Sequence, residues 1–267
     1  MIKKGMADSE YRKMAGVTQS DLKNFKVAPG FYRYRKNYTQ KTAAMALGTA
    51  VHSAILTPDL FDSEYIPRPE GLKLNTKEGM EWKKEIAKEK QVLTEEDSRM
   101  IDGIRLSIRD NKDAQIILAN TESEVSFFAE YMGVRVKGRV DGLNENRHYI
   151  FDLKTTNQAI NPKQFERTIY NYGYYLQGAF YLMLSELSGI NIKHFCIIVV
   201  QKTPPYPVAV YRLGNLAVDY GRREIDKLIS EYKKCEVENK WPFYEGIHEV
   251  GLPNWVNDNN EIIIEGE

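Results

Sequence analysis

The sequence predicts an α/β protein, a central mixed β-sheet flanked by helices, and three stretches carry that expectation. Residues 134–156 alternate polar and apolar side chains on either side of a polar turn, the pattern of a hairpin with one buried face. Residues 162–187 put Phe165, Ile169, Tyr172, Leu176, Phe180, Met183 and Leu187 on one helical stripe. KHFCIIVVQ at 193–201 is rich in β-branched residues and reads as a buried strand. Strands separated by a long apolar helix need that helix on one face of the sheet.

Composition narrows the function classes. A chain of 267 residues can build a full core, as one large domain or a domain with additions. The 37 basic and 37 acidic residues cancel, so any argument for a charged partner must come from their distribution. Residues 1–50 hold ten Lys or Arg against three acids, and residues 245–267 hold six acids and no Lys or Arg. The two cysteines, Cys196 and Cys235, suit a reducing cytosol better than a disulfide framework. No apolar run approaches the ~18 residues needed to span a bilayer, and no phosphate loop of the G-x-x-x-x-G-K-[ST] kind suggests an ATP motor.

In chain order, residues 1–16 are polar and predict a poorly ordered arm, 17–255 a single domain, and 256–267 an acidic tail. Thr18 or Ser20 is placed to cap a short helix with Leu22 and Phe25 on its apolar side, ending before Pro29. FYRYRKNYTQK at 31–41 interleaves aromatic rings with cations, which suits base stacking and phosphate contact and equally suits packing under aliphatic stems. AAMALGTAVHSAILT at 43–57 predicts a buried helix with Gly48, His52, Ile55 and Leu56 on one side. Residues 77–112 form helical scaffold, with Thr94 and Asp97 spaced as a capping box before Ile101, Ile104 and Ile108. ESEVSFFAEY at 122–131 predicts a strand with Glu124, Ser126 and Phe128 sharing a face.

The hairpin itself carries the chemistry. Val134, Val136, Gly138 and Val140 share one face, so Asp141 leaves the strand on the polar side with Arg135, Lys137 and Arg139. A turn near Asn144 to Asn146 leads to a strand that sets Ile150, Asp152 and Lys154 against Tyr149, Phe151 and Leu153. Two carboxylates on adjacent strands can share a hard divalent cation such as Mg²⁺, with Lys154 beside it as a second positive group. A surface hairpin with solvated or paired Asp and Lys satisfies the same spacing. Beyond it, Gly173 is placed to break the 162–187 helix, whose other side presents Tyr170, Tyr174, Gln177 and Tyr181. PVAVYRL at 207–213 predicts a strand neighbouring 193–201. Asn215 is placed to cap a last long helix reaching Asn239, with Val218, Ile225, Leu228, Ile229 and Tyr232 inward, and WPFYEGIHEVGLPNW then wraps back.

The D, ten residues, D-x-K spacing of Asp141, Asp152 and Lys154 resembles the PD-(D/E)XK nuclease superfamily, with Val140 where that pattern carries proline. VTQSDLKNF, MALGTAVHSAIL, GRVDGL, IFDLKTT, YGYYLQGAFY, TPPYPVAVY and WPFY, in this order between Ser20 and Trp255 or beside those limits, resemble phage and prophage nucleases of the exonuclease VIII (RecE-type) family. That resemblance implies a Mg²⁺-dependent exonuclease, with Mn²⁺ able to substitute, that digests one strand of linear duplex DNA from its 5′ end. The 3′ overhang would pass to a RecT-type single-strand annealing protein. It further implies a ring-shaped homo-oligomer, a tetramer in the family, encoded by a phage or prophage and acting in the host cytoplasm. His52, Asp141, Asp152 and the Leu153 carbonyl would hold the metal, Glu124 would be an additional acid, Lys154 would act on the water and transition state, and Gln177 and Tyr181 would orient the strand or the lysine. Arg33, Arg35, Lys36 and Arg139 are the candidate DNA contacts. A structure-specific or restriction endonuclease with the same site, and a non-catalytic DNA-binding module of the same fold, are the competing expectations.

Overall fold

A computed structural model describes residues 1–37 and 42–252. Its elements in chain order are β1 (Ile2–Lys3), α1 (Asp8–Lys13), α2 (Gln19–Val27), α3 (Pro29–Asn37), α4 (Ala43–Leu56), α5 (Pro58–Glu64) and β2 (Tyr65–Pro67). There follow α6 (Lys77–Trp82), β3 (Gln91–Leu93), α7 (Glu95–Asp110), α8 (Lys112–Leu118), β4 (Glu122–Tyr131), β5 (Val134–Asn144) and β6 (Tyr149–Thr156). The chain ends in α9 (Pro162–Asn171), α10 (Tyr174–Leu187), β7 (His194–Gln201), β8 (Val208–Arg212) and α11 (Asn215–Glu238). The main sheet runs β1-β4-β5-β6-β7-β8, antiparallel throughout except for the parallel β6–β7 pair that α9 and α10 connect. The expected α/β class with a mixed, helix-flanked sheet is therefore the fold. No helix among the described residues is long and apolar enough to cross a membrane.

Period-two alternation feeds two cores. Phe195, Ile197 and Val199 of β7 face one side with Ile150 of β6, under α2, α9, α10 and α11. Cys196, Ile198 and Val200 face the other with Tyr149, Phe151 and Leu153, under α4, α7 and α8. Helix α10 is apolar nearly all round, with Tyr175 through Ser185 buried, so it sits between the sheet and α11 rather than on the surface. Gly173, in the left-handed region at φ +62°, separates α9 from α10, a conformation that glycine takes without a Cβ penalty.

Local signals set most helix ends. Thr18 accepts from Asp21 N while the Asp21 carboxylate accepts from Thr18 N, a full capping box on α2. Thr94 accepts from Asp97 N at the start of α7.

Several expectations change. Residues 1–16 do not form a loose arm: Ile2 and Lys3 extend the sheet beside β4, and Lys137 Nζ donates to the carbonyls of Tyr11 and Met14 at 2.9 and 2.6 Å. In α4 the fully buried residues are Ala50, Val51 and Ala54, the expected Ile55 and Leu56 pack half-buried against the same core, and His52 is half-buried as well. Asn215 is the first helical residue of α11, and Gly214 takes the cap position without a side-chain bond. Tyr172, expected in the buried stripe, is 52% exposed because the Gly173 break rotates it out of register with α10. The hairpin turn lies at residues 145–148, one step later than expected. The 241–244 segment does wrap back, with Pro242 O accepting from Gly30 N and Tyr244 OH donating to Val27 O. The acidic tail at 256–267 lies outside the described residues.

Candidate active site at the splayed β5–β6 pair

β5 pairs with β4 from Val134 to Leu143, with a break at Asp141, but with β6 only from Gly142 to Asn144. Beyond that point β6 keeps only its pairing with β7, which runs from Tyr149 to Thr156, and Val17 pairs with Val136 of β5. The two strands therefore open into a cleft, and Asp141 and Asp152 stand at its apex. Alternation also slips there: Val134, Val136 and Val140 face the α10 core and so does Leu143, an odd number of residues on. Directly across from Asp141, Glu124 lies at φ +55° and leaves the β4–β5 ladder unpaired at that step. A non-glycine residue in the left-handed region is strained by about 1–3 kcal/mol, and such strain concentrates at functional sites.

Asp141 Oδ2 accepts from Leu153 N at 2.7 Å and lies 3.3 Å from His52 Nδ1. Burial, with the Asp152 charge adding to it, pushes the Asp141 carboxyl up to about 7 against the opposing pull of His52 and Lys154. Asp152 is buried, with Oδ1 accepting from Gln177 Nε2 at 2.5 Å and Oδ2 2.6 Å from Lys154 Nζ. The ion pair brings charge to Oδ2, and among the described residues neither Oδ2 nor Gln177 Oε1 has an aligned hydrogen-bond donor. For Lys154, burial opposes the charged form, and Asp152 and Asp141 outweigh it, so its pKa is raised and the ammonium persists. Gln177 Nε2 also lies 3.5 Å from the Tyr181 hydroxyl, which burial keeps protonated well above the usual phenol range.

Helix α10 approaches because β5 carries glycine at position 138: a Cβ there would lie 2.7 Å from Leu184 Cδ1 and 2.9 Å from Tyr181 Cε1. The geometry thus gathers His52, Asp141, Asp152, Leu153, Lys154, Gln177 and Tyr181, and holds Glu124 at the edge through Arg139 Nη1 at 3.7 Å. Burial raises the Glu124 pKa, opposed first by Arg139 and then by His52.

The candidate DNA contacts fare differently. Arg139 is not free for DNA: it donates to Ser126 Oγ at 3.0 Å and Met6 O at 2.9 Å and lies over the Tyr11 ring, so it fastens the N-terminal segment to the sheet. Arg33 is exposed over the Trp241 ring, and Arg35 donates to Asn24 Oδ1 at 2.9 Å. The Lys36 side chain and residues 38–41 lie outside the described residues. Sequence reading missed Lys23 of α2, which shares the Tyr174 ring with Lys154; nothing in VTQSDLKNF distinguishes that lysine from a solvated one.

Among the described residues no three His, Cys, Asp or Glu side chains form a ready-made metal nest. The donor chemistry still fits a hard divalent cation. Two facing carboxylates, of which Asp141 is pushed up by burial and by the Asp152 charge, and one carboxylate oxygen lacking an aligned donor are what a cation relieves. Mg²⁺ in particular is held by one or two carboxylates plus water and substrate phosphate rather than by an all-protein cage.

The family described as "PDDEXK-like domain of unknown function (DUF3799)" matches residues 18–250. A solved structure from Eubacterium rectale, described as a "Putative exonuclease", has 14% identity, covers 97% of this chain and 100% of its own, and superposes with a TM-score of 0.59, a likeness of fold. A second, SSO0001, has 15% identity over 84% of this chain and 81% of its own, with a TM-score of 0.38. No curated protein matches this chain.

Proposed function

Since the chain belongs to this PDDEXK-like domain family, we propose that it is a Mg²⁺-dependent exodeoxyribonuclease of the RecE kind. It degrades one strand of linear duplex DNA from the 5′ end and leaves a 3′ overhang for a single-strand annealing protein of the RecT type. The observation that carries the reading is the convergence of Asp141, Asp152 and Lys154 at the point where β5 and β6 part, with Lys154 Nζ 2.6 Å from Asp152 Oδ2.

Phosphodiester hydrolysis needs an in-line water and neutralisation of the charge that builds on the phosphorus oxygens. Lys154 supplies a fixed cation for that charge, held in aim by Asp152, and Gln177 holds Asp152 in turn. Leu153 N orients the Asp141 carboxylate from below. Asp141, Asp152, His52 and the Leu153 carbonyl would hold Mg²⁺ or Mn²⁺, which supplies Lewis-acid neutralisation and lowers the pKa of water from about 15.7 towards about 7. Glu124 lies where an additional acid would serve, and Tyr181, kept protonated, has a hydroxyl proton to donate while its oxygen faces Gln177 Nε2. A strand-trimming enzyme of this kind works as a ring-shaped homo-oligomer in the cytoplasm of a phage-bearing host, and Arg33, Arg35 and Lys36 would steady the duplex.

Strand-specific end labelling of a long linear duplex, with and without Mg²⁺, tests the proposal. The expected result is early release of 5′-terminal nucleotides, accumulation of long 3′ single strands and survival of covalently closed circles. Early release of 3′-terminal nucleotides, or circles cut at comparable rates, would overturn the exonuclease reading in favour of an endonuclease; metal-independent binding without hydrolysis would favour a non-catalytic module.

A further inference from the structure

Lys23 and Lys154 approach one aromatic ring from two elements. Lys154 Nζ lies 5.0 Å and Lys23 Nζ 5.6 Å from the Tyr174 centroid. Lys154 has Asp152 as its counter-ion, whereas Lys23 has no hydrogen bond or ion pair among the described residues. The contrast with Lys26, one turn along α2, is direct: that ammonium lies 2.5 Å from Glu224 Oε1 and donates to Tyr175 OH at 2.8 Å. The Lys23 stem is seated rather than loose, since a Cβ on Gly173 would lie 3.1 Å from Lys23 Cε. Burial and the Lys154 charge lower its pKa to about 8, with the Asp152 charge pulling the other way. Next to it, Tyr172 stacks on Tyr174 with centroids 5.9 Å apart and planes 24° apart, is 52% exposed, and has its hydroxyl fixed by Gln158 Nε2 at 3.3 Å.

A seated cation without an anion, beside an exposed and braced aromatic ring, matches the two halves of a nucleotide. We propose that Lys23 and Tyr172 form a nucleotide subsite beside Lys154, in which Lys23 takes a backbone phosphate of the DNA strand being cut and the Tyr172 ring takes an adjoining base. The subsite rests on the nuclease reading above and deepens it: the α9–α10 break delivers the strand to Lys154, and the grip is indifferent to base identity, because every base has a stacking face.

The test uses the full chain and a fluorescein-labelled linear duplex with a short single-stranded end, in chelator so that nothing is hydrolysed, with anisotropy read across a salt series. Lys23→Met and Lys23→Gln should each weaken binding about tenfold and reduce the slope of log Kd against log salt by about one, with Lys23→Arg restoring both. Tyr172→Leu should weaken binding about tenfold while leaving that slope unchanged, the mark of a stacking contact rather than a phosphate contact. Thermal melting by circular dichroism checks that each variant folds. If the wild type binds and, with Mg²⁺, cuts, but either neutral Lys23 variant keeps wild-type affinity and slope, the phosphate assignment falls; wild-type affinity in Tyr172→Leu removes the base. If the wild type neither binds nor cuts DNA, the nuclease reading fails first and the subsite with it.

Discussion

Replacing Lys154 by Met keeps most of the apolar stem and removes the ammonium with its charge and donors. Two separable consequences follow. Without the ammonium, the buried Asp152 loses its counter-ion and Asp141 loses one of the charges that offset Asp152. Breaking a buried pair costs ~3–5 kcal/mol, and since the Lys154 side chain is 22% exposed, the low end, about 3 kcal/mol, applies. For a chain of this size that is a fall in Tm of roughly 6–12 °C in chelator. Added Mg²⁺ should recover more of that loss in the variant than it adds to the wild type, because the cation replaces the charge removed. Turnover behaves otherwise: loss of one preorganised electrostatic group lowers the chemical step by about 10²–10³-fold, and saturating Mg²⁺ does not restore it. Calorimetry across a Mg²⁺ series and single-turnover digestion of end-labelled duplex read the two effects. A variant that keeps its single-turnover rate at high Mg²⁺ but needs far more metal would refute the assignment, since Lys154 would then serve the cation site and not the transition state.

Three further outcomes are expected. Gly138→Ala forces its new methyl against Leu184 and Tyr181, so it should cost about 1–3 kcal/mol in denaturant unfolding and lower kcat by moving Tyr181 and Gln177; unchanged stability would show that α10 does not depend on that approach. Arg139→Gln should speed proteolysis within residues 1–16 while leaving the salt slope of DNA binding unchanged, and a slope reduced by about one would return Arg139 to the DNA contacts. Burial pushes the Cys196 thiol up to about 11, so little reactive thiolate exists below that pH. Iodoacetamide at pH 8 should therefore leave Cys196 unmodified in the native protein and alkylate it once the chain is denatured, as mass spectrometry of the peptides would show; rapid native labelling would contradict the burial.

The sequence by itself determined whatever depends on neighbours a few residues apart. The alternation in β6 set Asp152 and Lys154 on one face, the Thr18–Asp21 and Thr94–Asp97 pairs fixed two helix starts, and Gly173 marked the break between α9 and α10. The four-residue spacing of Gln177 and Tyr181 placed them together on one helical turn. Tertiary structure alone decided what depends on distant segments. Arg139 reads as a free cation until residues 1–16 fold over the sheet and consume its donors, and that polar segment reads as loose until Lys137 and Arg139 supply partners for its carbonyls. The opening of β5 from β6 goes with the distant Val17 taking a place beside Val136 of β5, which no alternation within the hairpin encodes. Lys23 belongs to the cleft only because α2 crosses the α9–α10 junction at Gly173, a meeting of residues 150 positions apart that local pattern cannot express.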